Sequence, residues 1–289
     1  MTRILKVAAL QEKAMPRASI KEKMEQRTLP LIEEAAKKGA QIILATELCT
    51  TDYDRCYGAK DNDIFKEAET IPGYSTNEVA KLCKKHGVYV IFPLFEKAVP
   101  GVYYNSSATI GPDGSIVGTY RKTQVAGVQA LEKMYFRAGQ DFKVHETVFE
   151  PNAKFGTIIC HDRRYPETSR ILAMLGAEVM FCPTAAPGYA HGVHWGNLNI
   201  MRAVDNGMFC VYSNRIGQEG VNNYFGESMI VDPMGEVIAS GGKEENAVVM
   251  ADLDLAKVDE ARIKVPTLRD MRGDFWMKYY SPTYDKLVG

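Results

Sequence analysis

The stretch Ala36-Lys37-Lys38-Gly39-Ala40-Gln41-Ile42-Ile43 has a second copy, in kind, at Ala173-Met174-Leu175-Gly176-Ala177-Glu178-Val179-Met180. Each reads as the end of a helix, a Gly-Ala break, and the start of a buried strand. The surroundings match as well. Tyr104–Ile110, the turn Gly111-Pro112-Asp113-Gly114 and Ser115–Tyr120 form a hairpin pattern. Ser228–Val231, Asp232-Pro233-Met234-Gly235 and Glu236–Ala239 echo it. Further out, Ile4–Leu10 and Val88–Phe95 are strand-like. Ser19–Lys38 has helical periodicity, with Pro30 marking a kink or break. Ser75-Thr76-Asn77-Glu78 has capping-box spacing, opening a helix that stops at Gly87. Two similar halves with covering helices predict an α/β fold, a layered sandwich with internal pseudo-symmetry. Hairpins mixed with crossover units predict mixed sheets.

With 46% hydrophobic and 25% charged residues, the 289-residue chain has an ordinary globular composition. Pro and Gly are spread evenly, so residues 1–289 read as a single domain. A net charge of −1 gives no reason to expect nucleic acid or an anionic membrane as partner. No apolar stretch approaches the length of a membrane span. The charged start, Met1-Thr2-Arg3-Ile4-Leu5-Lys6, reads as the beginning of a strand and not as a signal peptide. Cysteines 49, 56, 83, 160, 182 and 210 lack framework spacing, and are expected to be reduced in a cytoplasmic protein. Cys182 and Cys210 lie in apolar strands and read as core.

Chemistry enters at Cys160. It closes the apolar run Phe155-Gly156-Thr157-Ile158-Ile159 and precedes His161-Asp162-Arg163-Arg164-Tyr165-Pro166-Glu167. Pro166 suits the first turn of a helix. The thiol therefore sits at a strand-to-helix turn, near backbone N–H groups and two arginines, a setting that favours a nucleophile. Glu47 follows the strand Gln41–Ala45, and Cys160 is expected at the matching place in the other half. Lys122 follows the hairpin strand. A carboxylate, an ammonium and a thiol make an acyl-transfer set: base, oxyanion stabiliser and nucleophile. Arg presents a planar fork for a carboxylate, so Arg163 and Arg164 favour an anionic substrate. The bland alternative is that one arginine pairs with Asp162 or Glu167 and braces the loop.

These segments, with Ala45-Thr46-Glu47-Leu48, Tyr104-Asn105-Ser106-Ser107, Gly118–Lys122, Gly156–Cys160 and Met201–Gly207, resemble the nitrilase superfamily of carbon–nitrogen hydrolases. The resemblance runs from about residue 4 into the 280s. It implies a four-layer αββα sandwich, a Glu47–Lys122–Cys160 triad and hydrolysis through a thioester with no cofactor and no metal. True nitrilases carry Cys-Trp-Glu where this chain has Cys160-His161-Asp162. Cys160–Glu167 and Leu131–Phe136 are more similar to N-carbamoyl-D-amino-acid amidohydrolases. That likeness implies Glu132 as a second active-site carboxylate and Arg163 and Arg164 as ligands of the substrate carboxylate. The His161 backbone N–H, next to the nucleophile, is expected to share the oxyanion with Lys122, and the family resemblance implies Tyr53 as a pocket residue. Gln124, Ala130 and Ala185 stand where the carbamoylase pattern has His, His and Asn. The reading is thus an amidohydrolase for an N-carbamoyl amino acid or carboxylate-bearing amide. The alternative is an amidase for neutral or ω-amides, and a non-catalytic binding relative ranks below both. His191 and His194, three apart, are discounted as a zinc pair. The aromatic tail 267–289 is expected to pack on the domain or a partner subunit in a homodimer or homotetramer.

Overall fold

The computed structural model describes residues 3–57, 59–127 and 130–288, without the side chains of residues 189–193 and 288. One sheet begins with β1 (Ile4–Gln11), β2 (Ile42–Leu44), β3 (Tyr89–Val99), β4 (Val102–Ile110) and β5 (Ile116–Arg121). A second takes β6 (Val144–Glu146), β7 (Lys154–Thr157), β8 (Val179–Pro183) and β9 (Phe209–Ser213). The chain then makes a separate hairpin, β10 (Ile216–Glu219) with β11 (Asn222–Phe225). β12 (Met229–Val231) and β13 (Val237–Ser240) complete the second sheet, and β14 (Ala247–Asp254) returns to the first. The spatial orders are β14-β1-β2-β3-β4-β5 and β6-β7-β8-β9-β12-β13. Along each, pairings run antiparallel, parallel, parallel, antiparallel, antiparallel. The mixed sheets and the pseudo-symmetry are both present.

The repeated stretch carries that symmetry down to single hydrogen bonds. Gly39 and Gly176 sit at φ +90° and +94°, a region glycine enters without Cβ strain. The amide after each closes the helix end: Ala40 N donates to Ala35 O at 3.1 Å, and Ala177 N to Leu172 O at 3.0 Å. β2 and β8 follow as counterparts. Alternation across the strands then sorts the side chains. Between the sheets, Val7, Leu44 and Ile91 meet Phe155, Phe181 and Val211. On the outer face of the first sheet, Ile43 and Val90 lie under Leu31, Ile32 and Val79. On the other outer face, Met180, Cys182 and Cys210 lie under Leu172, Trp195 and Ala203. The helices supplying these covers are α1 (Ile20–Lys23), α2 (Leu29–Lys37), α3 (Tyr74–His86), α4 (Pro166–Met174) and α5 (Tyr189–Asn206); α6 (Ala256–Lys264) and α7 (Gly273–Val288) end the chain. The result is a four-layer αββα sandwich.

Three local expectations shift. The helix over Ser19–Lys38 is broken by a π turn, Met24–Thr28, and Pro30 sits in the first turn of α2, where its missing N–H matters least. The capping box does not form at Ser75. α3 starts at Tyr74, the Gly73 N–H donates to Thr76 Oγ1 (2.8 Å), and Ser75 N and Oγ both donate to the Glu69 carboxylate (2.9 and 2.6 Å). A carboxylate from the preceding loop outcompetes the local Glu78. Finally, β7 ends at Thr157, three residues before the cysteine.

Candidate active site

The chain leaves β7 extended, then turns sharply at Cys160, whose φ of +43° is unusual for a side chain with a Cβ. Such a conformation costs about 1–3 kcal/mol and persists where neighbours enforce it. A short 3₁₀ turn, Cys160–Arg164, follows, and Pro166 opens α4. The enforcing neighbour is Asp162. Its Oδ2 accepts from Ile159 N (2.8 Å) and Tyr120 OH (2.7 Å), and its Oδ1 from Gln124 N (2.7 Å) and Thr123 Oγ1 (3.1 Å). The turn bearing Cys160 is thereby fastened to the loop bearing Lys122. Burial raises the Asp162 carboxyl to about 6 against the pull of these donors.

Glu47 lies three residues beyond β2. Its counterpart in the other half is Thr184, and the two touch: Glu47 N donates to Thr184 O at 3.4 Å, and Ala185 N to Glu47 Oε2 at 2.9 Å. Cys160 follows β7, the counterpart of β1. Glu47 and Cys160 therefore do not occupy matching places, as the sequence suggested, but converge from non-equivalent strand ends. Lys122 Nζ bridges Glu47 Oε1 and Glu132 Oε1, both at 2.8 Å. Glu132 is held in turn by Ala126 N on Oε2 (2.9 Å) and by the Tyr53 hydroxyl on Oε1. The Cys160 thiol lies near enough to Glu47 to help lower its pKa. Glu47 and Glu132 are 0% exposed, Lys122 1% and Cys160 7%, so these charges interact in a site closed to bulk water.

The electrostatics fix the protonation states. Burial pushes Glu47 upward, but the Lys122 ammonium, the bonds from Lys122 and Asn105, and the nearby Cys160 thiol prevail, and its pKa falls below the ordinary carboxylate value. For Lys122 burial opposes the charge, and Glu132 and Glu47 override it, so the ammonium is held well above its usual pKa. Burial and then Glu47 push the Cys160 thiol up to about 12, while Lys122 and Arg163 pull it down. At rest the pair is a thiol and a carboxylate. Burial, with Lys122 and both arginines, drops His161 to about 4, so its ring is neutral.

A cavity of about 260 Å³ opens above the thiol. Tyr53, His161 and Arg164 line it with Cys160, as do Tyr57 and the small side chains Ala130 and Ala185. Arg163 is not among the lining residues. It is 1% exposed and turned beneath Cys160. The Asp162 oxygens accept from N–H and hydroxyl donors, and Glu167 accepts from Tyr280 OH (2.9 Å). His194 is exposed on α5, and the His191 side chain lies outside the described residues. Cys182 and Cys210 are core.

Several participants escaped the sequence reading. Asn105 Nδ2 donates to Glu47 Oε1 (2.8 Å), and Lys122 N donates to Asn105 O (2.9 Å), so one residue of β4 positions two members of the set. Buried Arg215 donates from Nη2 to Glu47 O and Leu48 O, both at 2.9 Å. The available signal was a polar run, Ser213-Asn214-Arg215, continuing straight from a buried strand.

Residues 6–263 match the carbon-nitrogen hydrolase family. An N-carbamoylputrescine amidase of Solanum lycopersicum is 36% identical over 95% of this chain and 94% of its own length. The omega-amidase NIT2 of Homo sapiens is 33% identical over 90% and 93%. A crystal structure of a carbon-nitrogen hydrolase from Helicobacter pylori G27 superposes with a TM-score of 0.85 at 29% identity, covering 96% of this chain and 98% of that one. The αββα sandwich is the fold of the nitrilase superfamily. This chain belongs to its carbon–nitrogen hydrolase family, and is a hydrolase acting on carbon–nitrogen bonds other than peptide bonds.

Proposed function

We propose that this enzyme cleaves a linear amide or N-carbamoyl bond through a thioester on Cys160, in a substrate whose other end carries a carboxylate. Glu47 takes the Sγ proton as the sulfur attacks the carbonyl carbon. The Lys122 ammonium and the His161 backbone N–H hold the tetrahedral oxyanion. Collapse breaks the C–N bond, and Glu47 returns its proton to the departing nitrogen, as ammonia or amine. Glu47 then takes a proton from water, which attacks the thioester, and gives it back to Sγ as the acid leaves. The lowered Glu47 and the raised Lys122 support these roles. Glu132 and Tyr53 act by fixing the lysine.

The observation that carries the substrate class is the charge at the cavity. Arg164 lines it with Cys160, while the carboxylates beneath, Glu47 and Glu132, are already bonded to Lys122. A carboxylate fits there, and a cationic substrate such as N-carbamoylputrescine would meet Arg164. The likeness to omega-amidase NIT2 favours a second reading, an amidase for neutral or ω-amides in which Arg164 only braces the rim. Ammonia release separates them. The panel is N-carbamoyl-D- and L-amino acids, ω-amides bearing a carboxylate, N-carbamoylputrescine and neutral amides, with Cys160→Ala as the blank. Preference for the anionic members supports the clamp, and turnover of cationic or neutral members alone discards it.

The chain is also expected to work as a homodimer or homotetramer in the cytoplasm, where its six buried thiols remain reduced. α7 presents Phe275, Trp276, Met277, Tyr279, Tyr280 and Tyr284, each 51–67% exposed. An apolar face of that kind is covered in solution, here by a second subunit.

A further inference from the structure

Cys160 and Arg163 are three residues apart in a 3₁₀ turn, a geometry in which positions i and i+3 eclipse. The turn therefore places Arg163 on the same face as the nucleophile, and Arg164, one step on, reaches the cavity instead. Arg163 Nη1 donates to Cys160 O at 2.7 Å and lies 3.6 Å from Cys160 Sγ. Its guanidinium stacks over Trp195, 5.0 Å from the ring centroid. Among the described residues no carboxylate pairs with it, and its Nε has no hydrogen-bond partner. A buried cation is costly unless some negative charge faces it.

The nearest candidate is the sulfur. Glu47 and Glu132 already face Lys122, each at 2.8 Å, so neither serves Arg163. Asp162, the other buried carboxyl nearby, is occupied by its N–H and hydroxyl donors. When Glu47 accepts the thiol proton, one unit of negative charge moves from the carboxylate to Sγ. The S–H bond breaks, an O–H bond forms on Glu47, and no co-reactant is needed. At Glu47 that charge faces Lys122, and at Sγ it also faces Arg163.

We propose that Arg163 is a catalytic residue, the cation that receives the Cys160 thiolate as Glu47 removes its proton. The proposal rests on the reading of Cys160 as nucleophile and Glu47 as base. It separates the adjacent arginines: Arg164 serves the substrate and Arg163 the sulfur.

The test is the pH dependence of Cys160 alkylation by iodoacetamide, read on the Cys160 peptide by mass spectrometry, in wild type, Arg163→Gln and Arg163→Lys. Gln keeps a donor for Cys160 O and loses the charge, while Lys keeps the charge. The Gln curve should shift about one unit toward alkaline pH, making alkylation about tenfold slower at fixed pH, and kcat should fall with it. The Lys curve should stay near wild type. A Gln curve superimposed on wild type overturns the proposal and leaves the hydrolase reading standing. Loss of folding in both variants, followed by thermal melting, makes Arg163 a structural anchor and also overturns it. A wild-type Cys160 that iodoacetamide never modifies overturns the nucleophile reading, and this proposal with it.

Discussion

Replacing Glu219 by Gln should lower both stability and rate, because Glu219 secures the arginine that holds Glu47, the proposed general base. Arg215 Nη1 donates to both Glu219 oxygens (2.9 and 2.7 Å), and each side chain is 1% exposed. Glu219 Oε1 also accepts from Asp54 N (3.1 Å) and Tyr224 OH (3.2 Å). Gln is nearly isosteric, so the change removes a charge and turns one acceptor into a donor while volume is kept. Breaking a buried pair in this way costs about 3–5 kcal/mol. At about 2 °C per kcal/mol for a chain of this size, Tm should fall by roughly 6–10 °C. The rate effect follows from the other end of Arg215, which donates to Glu47 O and Leu48 O. Leu48 sits at φ +45°, so a loosened clamp lets the peptide at Glu47 relax. A displacement near 1 Å at the base costs on the order of 10²-fold. The assay is thermal melting together with steady-state ammonia release, and kcat should drop about ten- to a hundredfold with little change in KM. An E219Q enzyme with wild-type melting and kcat would refute the chain of support from Glu219 through Arg215 to Glu47.

Four further outcomes follow from the structure. Glu47 must be ionised to act and its pKa is lowered, so kcat/KM should fall as pH drops through a value below the ordinary carboxylate range. Asn105→Ala removes one donor from Glu47 Oε1, which raises that pKa and should move the acid limb up by as much as about one unit; an unmoved limb would exclude Glu47 as the titrating base. Arg164→Ala should raise KM for an anionic substrate at least about tenfold with kcat nearly kept, as expected for lost charge-assisted bonds; equal KM values would remove the clamp. Deleting residues 267–289 should lower the assembled mass measured by light scattering, and an unchanged mass would place the interface elsewhere.

Much of the fold was legible because its signals are local. The Gly-Ala exits from two helices, the two hairpin turns and the buried strands each carry their own punctuation, and their repetition gave the layered sandwich. The details that failed were decided at a distance. Glu69, from the preceding loop, displaced the expected cap at Ser75. Glu47 and Cys160 looked like matching positions because each follows an apolar run, yet they lie beyond β2 and β7, which are not counterparts. The site was legible as residue types, a carboxylate, an ammonium and a thiol at strand ends. The directions of Arg163 and Arg164 were not, because a 3₁₀ turn sends adjacent side chains different ways. Asn105 and Arg215 were missed because a buried polar residue takes its role from partners distant in sequence, Asn105 from Glu47 and Arg215 from Glu47 and Leu48.

The most direct test of the central claim is a rapid-quench mass measurement on the enzyme during turnover of its best substrate. The account predicts an acyl or carbamoyl adduct on the Cys160 peptide, formed and lost at rates that match turnover, and no turnover in Cys160→Ala. Steady hydrolysis with an unmodified Cys160, retained in the Cys160→Ala enzyme, would contradict it.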